Sequence, residues 1–282
     1  MNDIFHKPIA KRKLLLLCNP GREEDRNYTP AVFNVLNRYK EYFMSPVGGG
    51  WISSDVEEYN EIIEEPAGYD DEGEQTWLYD QIRKICRHTD YSIIVFVGHG
   101  DSTHGDEIQL SKGKFIPVNS FLAQDYFGNP IKRTVIVDAC RTLAGRNQER
   151  IILEQRTFSG DNMLETGPCR DLYNKQIQDC EPHFELIQST RYGEPAYVNP
   201  EGTGTAFSDA LFGLLDVKVP QWNAMAMGVR TGQKTVTLNS LMTDIAQRMQ
   251  AYHQVPQYSR TGEGDFPIYS VWRPVERSLQ FD

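Results

Sequence analysis

Along the chain, short continuous apolar runs alternate with segments whose apolar positions recur at helical spacing. Lys13 to Cys18 is apolar throughout and is closed by the turn signal Asn19-Pro20-Gly21, so it predicts a buried strand. Pro30 suits the start of a helix, and Val32, Phe33, Val35, Leu36, Tyr39 and Phe43 then share one face. A second amphipathic run begins at Gln75, with Trp77, Leu78, Ile82, Ile85 and Cys86 on one side, and ends near His88. It leads into Ser92-Ile93-Ile94-Val95-Phe96-Val97, a second buried strand. Asp101 to Lys114 is a polar excursion in which Leu110 and Phe115-Ile116-Pro117 suggest a small hairpin. Val118 to Phe127 reads as a helix or helical turn, broken at Asn129-Pro130. The mostly β-branched run Thr134-Val135-Ile136-Val137 is a third strand, ending in Asp138-Ala139-Cys140-Arg141.

The pattern is weaker elsewhere. From Ser45 to Gly73 only a flexible joint at Gly48-Gly49-Gly50 and the start of a short strand at Trp51-Ile52 can be read. Arg141 to Pro182 carries no convincing strand and reads as a long loop, with Arg141, Arg146, Arg150, Arg156, Arg170 and Lys175 along it. Structure returns with a strand over His183 to Thr190. Gly202, Gly204 and Thr205 introduce a helix over Phe207 to Leu215, and another helix spans Leu238 to Tyr252. Phe266 to Val271 closes the chain as an edge strand, where Pro267 is tolerated. Strands alternating with helices predict an α/β fold with a mostly parallel sheet and right-handed crossovers. With no internal repeat and no sharp linker, residues 1–282 read as a single domain.

Composition narrows the function classes. At 39% hydrophobic and 24% charged residues in 282, the chain can bury a core and is not disordered. A net charge of −10 lacks the basic footprint that phosphate backbones require, so nucleic acid is not the expected partner. No segment approaches the ~20 apolar residues of a membrane span, and Leu14 to Leu17 is too short for a signal peptide. The five cysteines are odd in number and form no CxxC pair, which argues against a disulfide framework and a zinc site and for a reducing cytoplasm. The acidic turn Asp70-Asp71-Glu72-Gly73-Glu74 offers oxygen ligands to calcium, but its spacing matches no EF-hand, and a solvated charge run is the simpler reading.

The chemistry gathers at two strand ends. Gly98-His99-Gly100 ends one buried strand and Asp138-Ala139-Cys140 ends another, 41 residues on from histidine to cysteine, which fits one strand–crossover–strand unit. Ligands in open α/β sheets bind at the carboxyl ends of the strands. A thiol is mostly protonated at neutral pH and needs a basic neighbour to act as a nucleophile, and an imidazole also serves to protonate the leaving amine. Taken singly, Cys140 could be a packed hydrophobe and His99 a turn residue; together at equivalent strand ends they predict a Cys-His dyad. His104 is a rival base away from any strand end, and Cys18 reads as core.

At these residues the chain resembles the caspase-like cysteine peptidases, the clan of caspases, metacaspases and their bacterial relatives. Caspases end the later strand in Gln-Ala-Cys-Arg-Gly; here Asp138-Ala139-Cys140-Arg141-Thr142 carries an acid in the glutamine position, as metacaspases and bacterial members commonly do. Ser189-Thr190, Ala196-Tyr197-Val198 and Gly204-Thr205-Ala206-Phe207-Ser208-Asp209 look like the family's later strand and the glycine turn into its helix. The resemblance implies a caspase-like three-layer sandwich with about six central strands and helices on both faces. It also implies Cys140 as nucleophile, His99 as general acid–base, and the backbone N–H groups of Gly100 and Cys140 as the oxyanion hole, with no cofactor needed for the chemistry and calcium at most an activator. Protein or peptide substrates follow, with a separate activating protein or protease as a further partner and bacterial defence as a setting.

Specificity is read from the same comparison. The position most like a caspase pocket arginine is Val198, so an aspartate substrate would find no fixed cation there. Asp138 sits at the pocket floor position, where a carboxylate suits a bidentate arginine; Arg22 and Arg26 of the charged loop could supply the other caspase arginine, whereas an acid from it, Glu23, Glu24 or Asp25, would complete an anionic pocket, with Ser189 as a further substrate-binding residue. The expectation is cleavage after Arg, with Lys second, and activation by proteolysis in the basic loop between Arg141 and Lys175. A catalytically silent module of the same fold, or a peptidase of acidic preference, is the alternative.

Overall fold

The computed structural model describes residues 11–21, 28–60, 77–101, 106–111, 114–122, 132–139, 164–199, 203–228 and 232–272. In chain order the elements are β1 (Arg12–Asn19), α1 (Ala31–Met44), β2 (Val56–Tyr59), α2 (Trp77–Cys86), β3 (Tyr91–Gly98), β4 (Gly100–Asp101), β5 (Glu107–Ser111), β6 (Lys114–Pro117), β7 (Lys132–Ala139), α3 (Thr166–Asp179), β8 (Phe184–Gln188), α4 (Ala206–Gly228), β9 (Gln233–Thr237), α5 (Leu238–Met249), β10 (Gln257–Arg260) and β11 (Pro267–Trp272). A six-stranded sheet runs in the order β10-β8-β7-β3-β1-β2, parallel except for the antiparallel edge strand β10.

The sheet is buried on both faces, which is why its strands read as unbroken apolar runs. Leu14, Leu16, Ile93, Val95 and Ile136 pack to one side with α1, α3, α4 and α5, while Leu15, Leu17, Ile94, Phe96, Val135 and Val137 pack to the other with α2, β5 and β6. The result is the expected layered α/β sandwich with a mostly parallel six-stranded sheet.

Several elements differ from expectation. The stretch read as one long loop contains α3, whose buried stripe is only Cys169, Tyr173 and Ile177. At i, i+4, i+8 these three bind the helix to the core, and the polar residues between them hide the period; Pro168 lies in the first turn, where its missing N–H costs nothing. The closing strand β11 is not an edge of the central sheet: it pairs with the unforeseen β9 in a separate two-stranded sheet. The central sheet's edge is instead β10, whose exposed polar residues gave no strand signal. Trp51 and Ile52 do not start a strand: Trp51 enters the core, Ile52 is exposed, and β2 begins at Val56. The helix expected to end at Leu215 runs on through Pro220 to Gly228. The segment read as a helix or helical turn from Val118 does open as a helical turn, the 3₁₀ turn Val118–Leu122, and the rest of it lies outside the described residues.

At the amino end of the sheet, buried Arg12 holds the Gly48–Gly50 joint. Its guanidinium donates to Gly49 O (2.7 Å), Gly50 O (3.1 Å) and Asn174 Oδ1 (2.9 Å) and lies 4.3 Å from the centre of the Trp51 ring. Gly49 and Gly50 take φ of +108° and +57°, conformations that side chains resist. The joint read as flexible is therefore pinned.

Candidate active site

The carboxyl ends of the parallel strands are aligned by register. Asn19 pairs with Gly98, Gly98 with Ala139, and Val137 with Gln188. His99 therefore follows directly on one partner of a cross-strand pair and Cys140 directly on the other. Cys140 itself lies outside the described residues, as do Asp25, His104 and the acidic run Asp70–Glu74.

Gly98 is required by close approach: a Cβ there would stand 2.6 Å from the backbone oxygen of Asn19. Asn19, buried at the end of β1, donates its side-chain amide to Gln109 O (2.8 Å), and Gln109 N donates to His99 O (3.0 Å). The small sheet of β4, β5 and β6 is thereby fastened to the histidine backbone. Because residues 99 and 109 are the bonded pair of this antiparallel ladder, the next pair, Gly100 and Ile108, is the non-bonded kind, and the Gly100 N–H points away from β5.

His99 lines a narrow slot of about 20 Å³, room for one water. Val32, Val97, Ala196 and Val198 form its apolar walls, and Thr29, Asp138 and Thr205 contribute polar groups. Thr29 N donates to Pro20 O (2.7 Å), which holds Thr29, a residue of the slot, close to the end of β1.

Asp138 is 1% exposed and pairs in register with Val97, two residues before His99. Burial pushes its carboxyl up from 3.8 to about 7; the Thr205 hydroxyl bond, the nearby Ser189 hydroxyl dipole and the charge of Arg38 oppose that rise, and Asp209 adds to it. Thr205 Oγ1 donates to Asp138 Oδ2, while Oδ1 has no hydrogen-bond partner within accepted geometry. Ser189 does not line the slot. It is fully buried behind Asp138, with its N–H on Val137 O (2.9 Å) and its hydroxyl 3.4 Å from Ala139 O.

The far wall is built where Val198 and Thr205 form an isolated antiparallel bridge. Ala206 N donates to Tyr197 O (2.8 Å) and Asn199 N to Gly204 O (2.9 Å). Buried Gln254, which sequence reasoning missed, ties this wall to the sheet: Nε2 donates to Ser189 O (2.7 Å) and Oε1 accepts from Tyr197 N (3.2 Å). Arg38 of α1 pairs with Asp209 of α4 at 2.5 Å, and Asn199 Nδ2 donates to the other Asp209 oxygen at 2.9 Å. An isolated Gln or Arg within a helical or loop pattern carries no sequence signal for such bridging.

The four described cysteines are buried and form no disulfide, and burial pushes the Cys18 thiol up to about 12, which suits the core role read for it. Among the described residues no cluster of His, Cys, Asp and Glu could hold a metal ion. No described helix is long and apolar enough to cross a membrane.

A caspase-domain family model matches residues 54–267, well over half of the chain. The chain belongs to the caspase-domain family. The caspase domain's general class is that of cysteine peptidases, enzymes acting on proteins or peptides. In three dimensions the chain is similar to a protein from Geobacter sulfurreducens, with a TM-score of 0.54, 14% identity and coverage of 90% of this chain and 95% of that one. It also aligns with caspase-1 from Spodoptera frugiperda, with a TM-score of 0.48, 12% identity and coverage of 89% and 87%. No curated protein matches this caspase domain in sequence.

Proposed function

We propose that the chain is a cysteine endopeptidase that uses Cys140 and His99 and cleaves after basic residues, Arg before Lys. The observation that carries the specificity is a buried carboxylate, Asp138, in the lining of a mostly apolar slot that His99 also lines. A buried carboxylate at the end of an apolar channel suits the long methylene stem and cationic head of Arg or Lys, and is repelled by an acidic side chain. The slot must widen to admit that side chain, and Ala196 and Val198, on the segment outside the sheet, are the walls placed to give way.

The chemistry follows from this seating. His99 takes the thiol proton of Cys140, and the thiolate attacks the carbonyl carbon of the basic residue. The developing oxyanion is met by the N–H groups of Gly100 and Cys140. His99 then gives its proton to the leaving amine, and water, deprotonated by the same imidazole, hydrolyses the thioester and restores the thiol. No cofactor takes part in these steps; calcium and a separate activating protein or protease belong to regulation, and the reducing cytoplasm expected from the cysteines keeps the nucleophile as a thiol.

Matched fluorogenic peptides ending in Arg, Lys, Asp or Ala, assayed with and without calcium, test the proposal. Arg is expected first, with turnover abolished in Cys140→Ala and reduced about 100-fold or more in Asp138→Ala, the scale set by loss of a buried charge pair. Preferential turnover of the Asp peptide would sink the specificity, and turnover by Cys140→Ala would sink the nucleophile.

A further inference from the structure

Asp138 is held by the start of α4 in a way that its own strand does not explain. Thr205 and Ser208 bond reciprocally at the helix entrance: Ser208 N donates to Thr205 Oγ1 (3.0 Å) and Thr205 N to Ser208 Oγ (3.0 Å). This caps the helix, since two orphan N–H groups of the first turn are satisfied by side chains. It also fixes the polarity of the threonine hydroxyl. With a lone pair occupied by the Ser208 N–H, the hydroxyl proton is directed to its remaining partner, Asp138 Oδ2.

We propose that Thr205 is a positioning residue for cation recognition: its oriented hydroxyl and the helix entrance behind it hold Asp138 Oδ2 and favour the charged carboxylate, leaving Oδ1 to receive a basic side chain. The inference rests on the reading of the slot as a site for basic residues. If Asp138 takes up a proton while Oδ2 remains an acceptor, the proton resides on Oδ1, and the pocket end changes from acceptor to donor, which a guanidinium cannot use. The charged and titratable groups around it are Arg38 and Tyr39 on α1, His99 after β3 and Asp209 on α4, with Arg38 and Asp209 already paired. Burial alone would hold Asp138 neutral well into the neutral range, so the threonine acts where the balance is close.

The test compares Thr205→Val, Thr205→Ser and Ser208→Ala with the parent, using an Arg peptide from pH 5.5 to 9. Thr205→Val is expected to raise KM about tenfold at pH 7, the scale of one hydrogen bond to a charged group. It should leave kcat nearly unchanged and move the acid limb of kcat/KM upward by about one pH unit. Thr205→Ser should restore both values. Ser208→Ala, which weakens the cap but keeps the hydroxyl on Asp138, should lower thermal stability without moving the limb. A folded Thr205→Val with the parent KM and limb, or a folded Thr205→Ser that fails to restore them, overturns the proposal. The Asp138 carboxyl ¹³C titration, assigned by Asp138→Asn, separates this from the pocket reading. If the parent shows no preference for basic residues, the pocket reading fails; an upward-shifted Asp138 midpoint in Thr205→Val would still uphold the hydroxyl's hold on the charge, and an unmoved midpoint would refute it.

Discussion

Gly98 and Ala139 are register partners at the ends of β3 and β7, so the next residue on each strand is one member of the His99 and Cys140 pair. Two adjacent parallel strands thus end at the same height, with His99 next in the chain after one and Cys140 next in the chain after the other.

Placement of the histidine depends on Gly98. In Gly98→Ala the new Cβ would press within 2.6 Å of a backbone oxygen that cannot rotate away. The expected cost is about 1–3 kcal/mol of stability. Activity should fall about 100-fold, as for a nucleophile and base displaced by roughly 1 Å. Thermal melts and kcat/KM below the melting temperature measure both; an unaltered kcat/KM would show that His99 is not held through this contact.

Asp138 should make stability depend on pH in one direction. Its folded pKa of about 7 lies above the ordinary 3.8, so the folded chain holds this proton more tightly than the unfolded chain. The contribution is complete below the unfolded value and is lost as pH rises through 7, a change of a few kcal/mol at most. His183, whose pKa is also raised by Glu185 and the Glu181 carbonyl against the pull of burial, gives a slope of the same sign. Urea unfolding of the parent and Asp138→Asn from pH 4 to 8 isolates the aspartate: the parent should lose stability relative to the variant as pH rises, and parallel curves would contradict the shift.

Arg12 lies at the other end of the strands. Arg12→Met removes the donors to Gly49 O, Gly50 O and Asn174 Oδ1 and leaves Arg170 to balance the charge of Asp55. About 3 kcal/mol of stability should be lost, as when one partner leaves a buried polar cluster. Turnover per folded molecule should be unchanged, which denaturant midpoints and active-site titration can establish together.

Self-cleavage, if it follows the proposed specificity, should use Arg141, Arg146, Arg150 or Arg156. Arg170 and Lys175 are in α3, and Arg170 is bound to Gly50 O (2.7 Å) and Asp55 (3.0 Å), so a peptidase could reach neither without melting the helix. Intact mass after incubation should reveal fragments in the parent and none in Cys140→Ala. Identical masses would exclude self-processing, and a cut after Arg170 would show that the helix opens.

The inner parallel strands β1, β3 and β7 were legible because burial on both faces makes them nearly continuous apolar runs, and β3 and β7 carried the site residues at their ends; the half-buried edge strand β2 was not. β9 and β10 were not, since one is half-buried and the other lies at an exposed edge, so neither is required to be apolar. Helix α3 escaped for the related reason that a three-residue stripe suffices to dock it. Asp138 stood out by being an acid at the end of an apolar strand; the residues that set its surroundings did not, because Thr205, which bonds it, Arg38, whose charge reaches it, and Gln254, which bonds Ser189, arrive only after the chain has folded back from distant positions.

Gln254 gives that wall a mechanical character. One buried amide side chain bonds both to Ser189, just past β8, and to Tyr197, between the wall residues Ala196 and Val198. When those walls give way, the movement is passed through Gln254 to the residue that follows β8. Substrate entry and the resting shape of the sheet end are thereby geared to each other, and any side chain that spreads the slot is felt at the carboxylate that receives it.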